Sequence, residues 1–192
     1  PIVMLLAQLA LVVVLAIGAG WGMTRLVPGW GGLGLAMVMG AAIVALGLRG
    51  FRRIDHRLYA YYLMHDYAYS AGAQGANPAD LEQRMARFAD ALRQALHGAW
   101  DEVLVVGHSS GAHLGISILS DLIRAGLPDG HPPLALLTLG QVVPMVSFLP
   151  RAGRLRADLA YLSASDRVTW VDVTAPGDGC AFSLCDPVAV TG

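Results

Sequence analysis

Residues 2–20 form an apolar run in which Gln8 is the one strongly polar side chain, and a second apolar run covers 31–48. A bilayer core of about 30 Å takes about 20 helical residues at 1.5 Å rise each, so both runs predict membrane-spanning helices. The short connection between them holds Trp21, Arg25, Pro28 and Trp30. It predicts a helical hairpin with its tryptophans at the interfacial level. Gly32, Ala36 and Gly40 recur at every fourth position on one face, as do Ala16 and Gly20, and such small residues let helix backbones approach closely in lipid. A secretory signal peptide is the competing reading of the first run. Against it stand the missing basic leader, the length of the run and the second span directly behind it.

Beyond residue 76 the pattern changes. Asn77 as N-cap, Pro78 in the first turn, and Leu81, Met85, Phe88, Leu92 and Leu96 at helical spacing predict a helix that Gly98 ends. Val103 to Val106 read as a strand buried on both faces, 112–125 as a helix apolar on most sides, and 134–139 as a second buried strand. A helix carrying Leu155, Leu159 and Leu162 and a strand over 168–173 complete the order. Helices alternating with buried strands predict an α/β fold with a parallel sheet. The expected organisation is a hairpin over 1–48, an Arg/Tyr-rich juxtamembrane segment over 49–76, and an α/β domain over 77–192.

Charge sharpens this division. Over residues 1–48 Arg25 is the single ionisable side chain, in a chain 55% hydrophobic and 14% charged. Arg49, Arg52, Arg53 and Arg57 cluster just after the second span, so both ends of the hairpin are expected on the cytoplasmic side. Tyr59, Tyr61, Tyr62, Tyr67 and Tyr69 follow, as in a segment lying at headgroup level or as the first element of the next domain. A net charge of −1 gives no nucleic-acid footprint. Cys180 and Cys185 fit no common zinc spacing, and neither a metal-ligand cluster nor a phosphate loop occurs, so no cofactor or metal is expected.

The chemistry centres on Gly107, His108, Ser109, Ser110 and Gly111, a GxSxG sequence between a buried strand and a helix. A nucleophile elbow needs that setting: an abrupt strand end, small residues flanking a strained turn, and a helix that starts at once. Ser109 would present its hydroxyl at the end of the sheet, and the backbone N–H of Ser110 would donate to an oxyanion at the helix N-terminus.

The segment VLVVGHSSGAHL resembles the α/β-hydrolase superfamily, in particular its lipase and serine-esterase branches. The chain also resembles uncharacterised bacterial membrane proteins with a hydrolase-like domain, through YYLMHDYAYS, LLTLGQVVPMVSFLP and WVDVTAPGDGCAF, over about residues 56–192. The resemblance implies a partial α/β-hydrolase sheet and a serine hydrolase acting on an ester or related acyl bond; with the transmembrane hairpin in a bacterial cytoplasmic membrane, the tether favours a lipid or another apolar ester as substrate. It places the catalytic acid after the second strand beyond the elbow, which makes Asp178 the candidate, with Asp172 and Asp186 behind it. An acyltransferase on the same scaffold and a non-catalytic membrane binding module are the rival functions.

The superfamily's histidine should follow one more strand, yet none occurs beyond His131. His108, His113, His131, His65, His56 and His97 are expected to be structural or solvated. With Pro1 at the start and neither the early strands nor the second oxyanion donor in view, the sequence is expected to be an internal fragment. Gln141, past the second strand, is a candidate substrate contact or a solvated loop residue. The apolar run 142–150 is expected to cap an acyl pocket, touch the bilayer or pack in the core. Arg151, Arg154 and Arg156 beside it would meet lipid headgroups.

Overall fold

A computed structural model describes residues 2–189, so the last three positions of the expected α/β domain lie outside the described residues. The chain divides between Tyr67 and Ala68 into two compact units. The first contains α1 (Ile2–Leu26), α2 (Trp30–Arg53), α3 (Asp55–Leu58) and the start of α4 (Ala60–Gly72). Both long helices run past their apolar cores, so the Arg49–Arg53 stretch continues α2 instead of opening a separate segment.

The reversal between α1 and α2 is tight, and glycine makes it so. Gly29 has φ 93°, and a Cβ on Gly32 would collide with the Val27 carbonyl oxygen. Down the hairpin Gly20 faces Ala36 and Gly40 faces Ala16, while a side chain on Gly47 would strike Val12 at 2.7 Å. Small residues on one helix thus meet small residues or a filled notch on the other, which allows close packing without interlocking large side chains. Only 6% and 11% of the apolar windows of α1 and α2 are buried, unlike the core helix of a soluble domain. By length and composition both are able to cross a membrane.

The second unit is a small α/β layer structure. It contains α5 (Ala79–Ala95), β1 (Val103–His108), α6 (Ser110–Arg124), β2 (Leu134–Leu139), α7 (Val143–Ser147), α8 (Gly153–Ser163) and β3 (Thr169–Val173). The strands form a parallel sheet in the order β1-β2-β3, with Val103 opposite Leu134 and Ala135 opposite Thr169. Helix α6 is its hub: nine of its fifteen residues are buried, and it packs on β1, α5 and α8. Ile116, Leu119 and Leu122 meet Leu136, Leu159 and Leu162 in one apolar cluster. On the opposite face of the sheet Leu104, Val106, Val171 and Val173 remain about half exposed.

Two local expectations are corrected. Helix α5 starts at Ala79 with Pro78 as its N-cap residue, and Asn77 turns its amide to the Met85 sulfur at 3.6 Å. Phe88 is exposed, because Ala89 takes the inward position beside Met85. Of the readings open for the run 142–150, core packing holds: Val143, Pro144 and Val146 are buried in α7, while Phe148 is exposed.

A polar network crosses this apolar interior. Asp158 on α8, 1% exposed, pairs with Arg124 on α6 at 2.5 Å, and Arg154 lies 3.6 Å from its second oxygen. Arg154 also binds Asp121 at 2.5 Å and Glu82 at 3.2 Å, linking α5, α6 and α8. Burial alone would depress the Arg154 guanidinium, but its hydrogen bond to Asp121 and the charges of Asp121, Glu82 and Asp158 hold it above its ordinary range. Arg156 donates to the carbonyls of Ser147 and Leu149 at 2.6 and 3.1 Å. Arg154 and Arg156 are therefore fastened inside the unit and do not offer themselves to headgroups; their positions beside an apolar run misled because their acceptors come from distant elements.

A buried carboxylate left without cations costs more than two half-exposed arginines left without a carboxylate, since the arginines reach water. The double variant Arg124→Ala with Arg154→Ala is expected to lose about 4 kcal/mol of stability, and Asp158→Ala about 2 kcal/mol. Denaturant unfolding of the detergent-solubilised protein, followed by tryptophan fluorescence, reads both. The reverse ranking would show that Asp158 is not held as a buried anion.

Candidate active site

Strand β1 ends at His108 and α6 begins at Ser110, so Ser109 alone makes the turn between them. Its backbone has φ 54° and ψ −121°, a sparsely populated conformation for a residue with a Cβ. A non-glycine residue held there costs on the order of 1–3 kcal/mol, which the surrounding packing must offset. Two bonds pin the turn: Ser109 N–H donates to the Leu139 carbonyl at 3.0 Å, and Ala112 N–H donates to the Ser109 carbonyl at 3.0 Å. The serine is half-buried, and Ser110 opens the first turn of α6.

The two elbow glycines differ. A Cβ on Gly107 would come within 2.7 Å of the Gly111 carbonyl oxygen and 2.8 Å of the Ala112 Cα, so glycine there lets α6 lie directly against β1. A Cβ on Gly111 would meet nothing within 4 Å, so the steric need for a small residue rests on the first position of the motif.

The strand ends are joined in sequence. Gly140, with φ 53°, donates its N–H to the Val173 carbonyl at 2.9 Å, just as Ser109 reaches Leu139. Asp178 sits in the loop after β3, with Oδ2 3.3 Å from where a Cβ of Gly140 would lie. Its Oδ1 accepts from the backbone N–H of Cys180 at 2.8 Å and of Ala181 at 3.3 Å. The fold thus brings Ser109 and Asp178 to neighbouring residues, Leu139 and Gly140, at the same end of the sheet.

The other acids have different surroundings. Asp172 accepts from Thr138 Oγ1 at 2.6 Å, and Trp170 Nε1 donates to that same hydroxyl at 3.0 Å. Asp186 accepts from the backbone N–H of Val188 and Ala189 and so closes a turn. No described histidine hydrogen-bonds Asp178. His108 is exposed at the end of β1, His113 is buried on α6, and His97 is exposed after α5. His131 lies at the opposite end of the sheet, beside Arg167. In the first unit His56 contacts the Arg53 carbonyl and His65 stacks on Tyr61.

Gln141 is corrected as a substrate contact. It is fully buried; its Oε1 accepts from Val143 N–H at 2.9 Å, and its Nε2 donates to the carbonyls of Phe182 at 3.3 Å and Cys185 at 3.1 Å. The side chain clamps the 182–185 loop onto the end of β2, with Phe182 N–H also bound to the Gln141 carbonyl. Sequence reasoning missed this clamp, because its acceptors lie more than forty residues away. Both cysteines are free, with Cys180 exposed, and no group of three metal-binding side chains occurs among the described residues. A groove of about 540 Å³ follows β3, lined by Trp170, Asp172, Thr174, Leu184, Cys185 and Asp186 among others; Ser109 does not line it.

Compared with known protein families, with curated proteins and with solved structures, the chain matches none of them.

Replacing Gly107 by Ala is expected to cost about 2 kcal/mol, because backbone atoms of α6 block the methyl group. Replacing Gly111 by Ala should be neutral or stabilising by a few tenths of a kcal/mol, since the space is open and alanine favours the helix. Thermal unfolding of the two variants measures the contrast, and equal effects would contradict the close β1–α6 approach.

Proposed function

We propose that the protein is a membrane-anchored serine hydrolase of the α/β-hydrolase type, in which Ser109 attacks the carbonyl of an acyl ester. The observation that carries this is the backbone of Ser109: a serine in a strained conformation, alone between a buried strand and a helix N-terminus. Strain of this kind has no packing purpose at a position where glycine would sit without cost. In the reaction the Ser109 oxygen bonds to the acyl carbon as a base takes its proton. The tetrahedral oxyanion accepts from the Ser110 N–H, and its collapse expels the alcohol, which receives the proton. Water then hydrolyses the acyl-enzyme.

Asp178 would orient the base, its free oxygen facing the end of β2 beside the elbow. The mechanism requires an imidazole on Asp178 that the described residues do not supply there. Helices α1 and α2 would anchor the protein in a bacterial cytoplasmic membrane, and the arginines that end α2 favour the cytoplasmic side for the chain that follows. A membrane tether favours lipids or other apolar esters as substrates, and an acceptor other than water would make the same chemistry an acyl transfer.

A second function, binding without catalysis, has its own support. The Oδ1 of Asp178 is engaged by local backbone, and the groove along β3 is separate from Ser109.

Turnover of short-chain nitrophenyl esters by the full-length protein separates the two. The Ser109→Ala variant is expected to lose at least about a thousandfold in kcat/KM with its fold intact. Turnover equal to the unsubstituted protein would overturn the assignment of Ser109.

A further inference from the structure

The end of α2 carries a built feature that the hydrolase reading does not use. Leu46, Arg49, Gly50 and Arg53 lie on one face of the helix and line a notch of about 400 Å³. The space over Gly50 is open: a Cβ there would meet nothing within 4 Å, so a larger side chain has room to enter the notch. Neither Arg49 nor Arg53 carries an ion pair among the described residues, while their neighbours are committed elsewhere. Arg52 stacks over the Tyr61 ring at 5.0 Å. The nearest acid in sequence, Asp55, accepts from the backbone N–H of Tyr61 at 2.8 Å and of Tyr62 at 2.9 Å, capping α4.

The composition of the two units points the same way. The first 67 residues hold five arginines against Asp55 and Asp66, and the remainder holds eight arginines against twelve acids. Positive charge is therefore concentrated where the apolar helix ends. Leu46, one turn deeper in α2 and 66% exposed, supplies an apolar floor beneath the two guanidinium groups. A ligand that fits must present an anionic head next to a hydrocarbon body. The C-terminus of α2 bears about half a negative charge, which the two full positive charges outweigh. Arginine's planar fork grips a phosphate through two parallel hydrogen bonds.

We infer that Arg49 and Arg53, flanking the Gly50 notch, form a binding site for the phosphate of an anionic phospholipid, whose acyl chain lies against Leu46. This rests only on the membrane-anchoring part of the proposed function, not on the chemistry of Ser109. The site would hold the tether in lipid patches of negative charge and fix how deeply α2 sits.

The test uses the full-length protein in bilayer discs of phosphatidylcholine with a minor fraction of phosphatidylglycerol, followed by native mass spectrometry of the lipid retained on release. The unsubstituted protein should keep phosphatidylglycerol in preference to phosphatidylcholine. Arg49→Gln with Arg53→Gln should weaken that preference roughly tenfold, whereas the charge-matched pair Arg25→Gln with Arg57→Gln should leave it. Gly50→Leu fills the notch with every charge retained and should also abolish the preference; this variant decides the matter if the double arginine variant fails to insert. An unaltered preference in Gly50→Leu, or equal loss in the two arginine pairs, would reduce the effect to general electrostatic attraction and overturn the site. Glycerol phosphate retained by the lipid-free protein as tightly as the lipid would assign a soluble phosphate ligand and overturn the lipid. Alkaline carbonate extraction of the same membranes reports the anchor independently: an extractable chain refutes membrane insertion, while an inserted chain without lipid preference refutes the notch alone.

Discussion

The second unit is organised around one close approach, β1 against α6 across Gly107. Because glycine lets the helix backbone come within contact of the strand, one residue must reverse the chain, and that residue is Ser109 with φ 54°. The cost of that conformation, on the order of 1–3 kcal/mol, persists only because the elements on both sides are fixed by other forces. On the strand side the register with β2 and the bond from Ser109 N–H to Leu139 hold β1. On the helix side Ile116, Leu119 and Leu122 are buried with no freedom to shift. A serine so constrained between a strand and a helix is the backbone setting that the proposed chemistry calls for.

The apolar core supplies most of the stabilising free energy, but polar groups decide which helix lies against which. Asp158 joins α8 to α6 through Arg124, and Arg154 reaches Asp121 and Glu82 on two further helices. Such buried charges contribute little net stability relative to apolar packing, yet they penalise any arrangement that separates them. Gln141 plays the same part at the end of the sheet. By fastening the loop after β3 to β2 it sets the position of Asp178 beside the elbow. The candidate site thus depends on a residue with no exposed atom to offer a substrate.

What the sequence made legible follows from how local each signal is. The two apolar helices, the three strands and the helix after the elbow all announce themselves through hydrophobic period, and glycine marks the elbow itself. The parallel order of the strands follows from alternation with helices. Features fixed by distant partners were not legible. Arg154 and Arg156 look like surface cations beside an apolar run until α5, α6 and α7 bring their acceptors. Gln141 looks like a loop residue until the 182–185 loop closes on it. Asn77 has the right residue type for an N-cap, yet Pro78 takes that place and leaves Asn77 to Met85. The base of the candidate site was equally invisible, and the described histidines do not provide it at Asp178.

The most direct measurement is the site of covalent modification by a fluorophosphonate, which reacts with an activated serine and ignores an idle one. Full-length protein treated with the probe, digested and mapped by mass spectrometry should carry the adduct on Ser109 and not on Ser110. Absence of any adduct on Ser109, with the protein folded and the membrane anchor intact, would contradict the account and leave the bend at residue 109 without a chemical purpose.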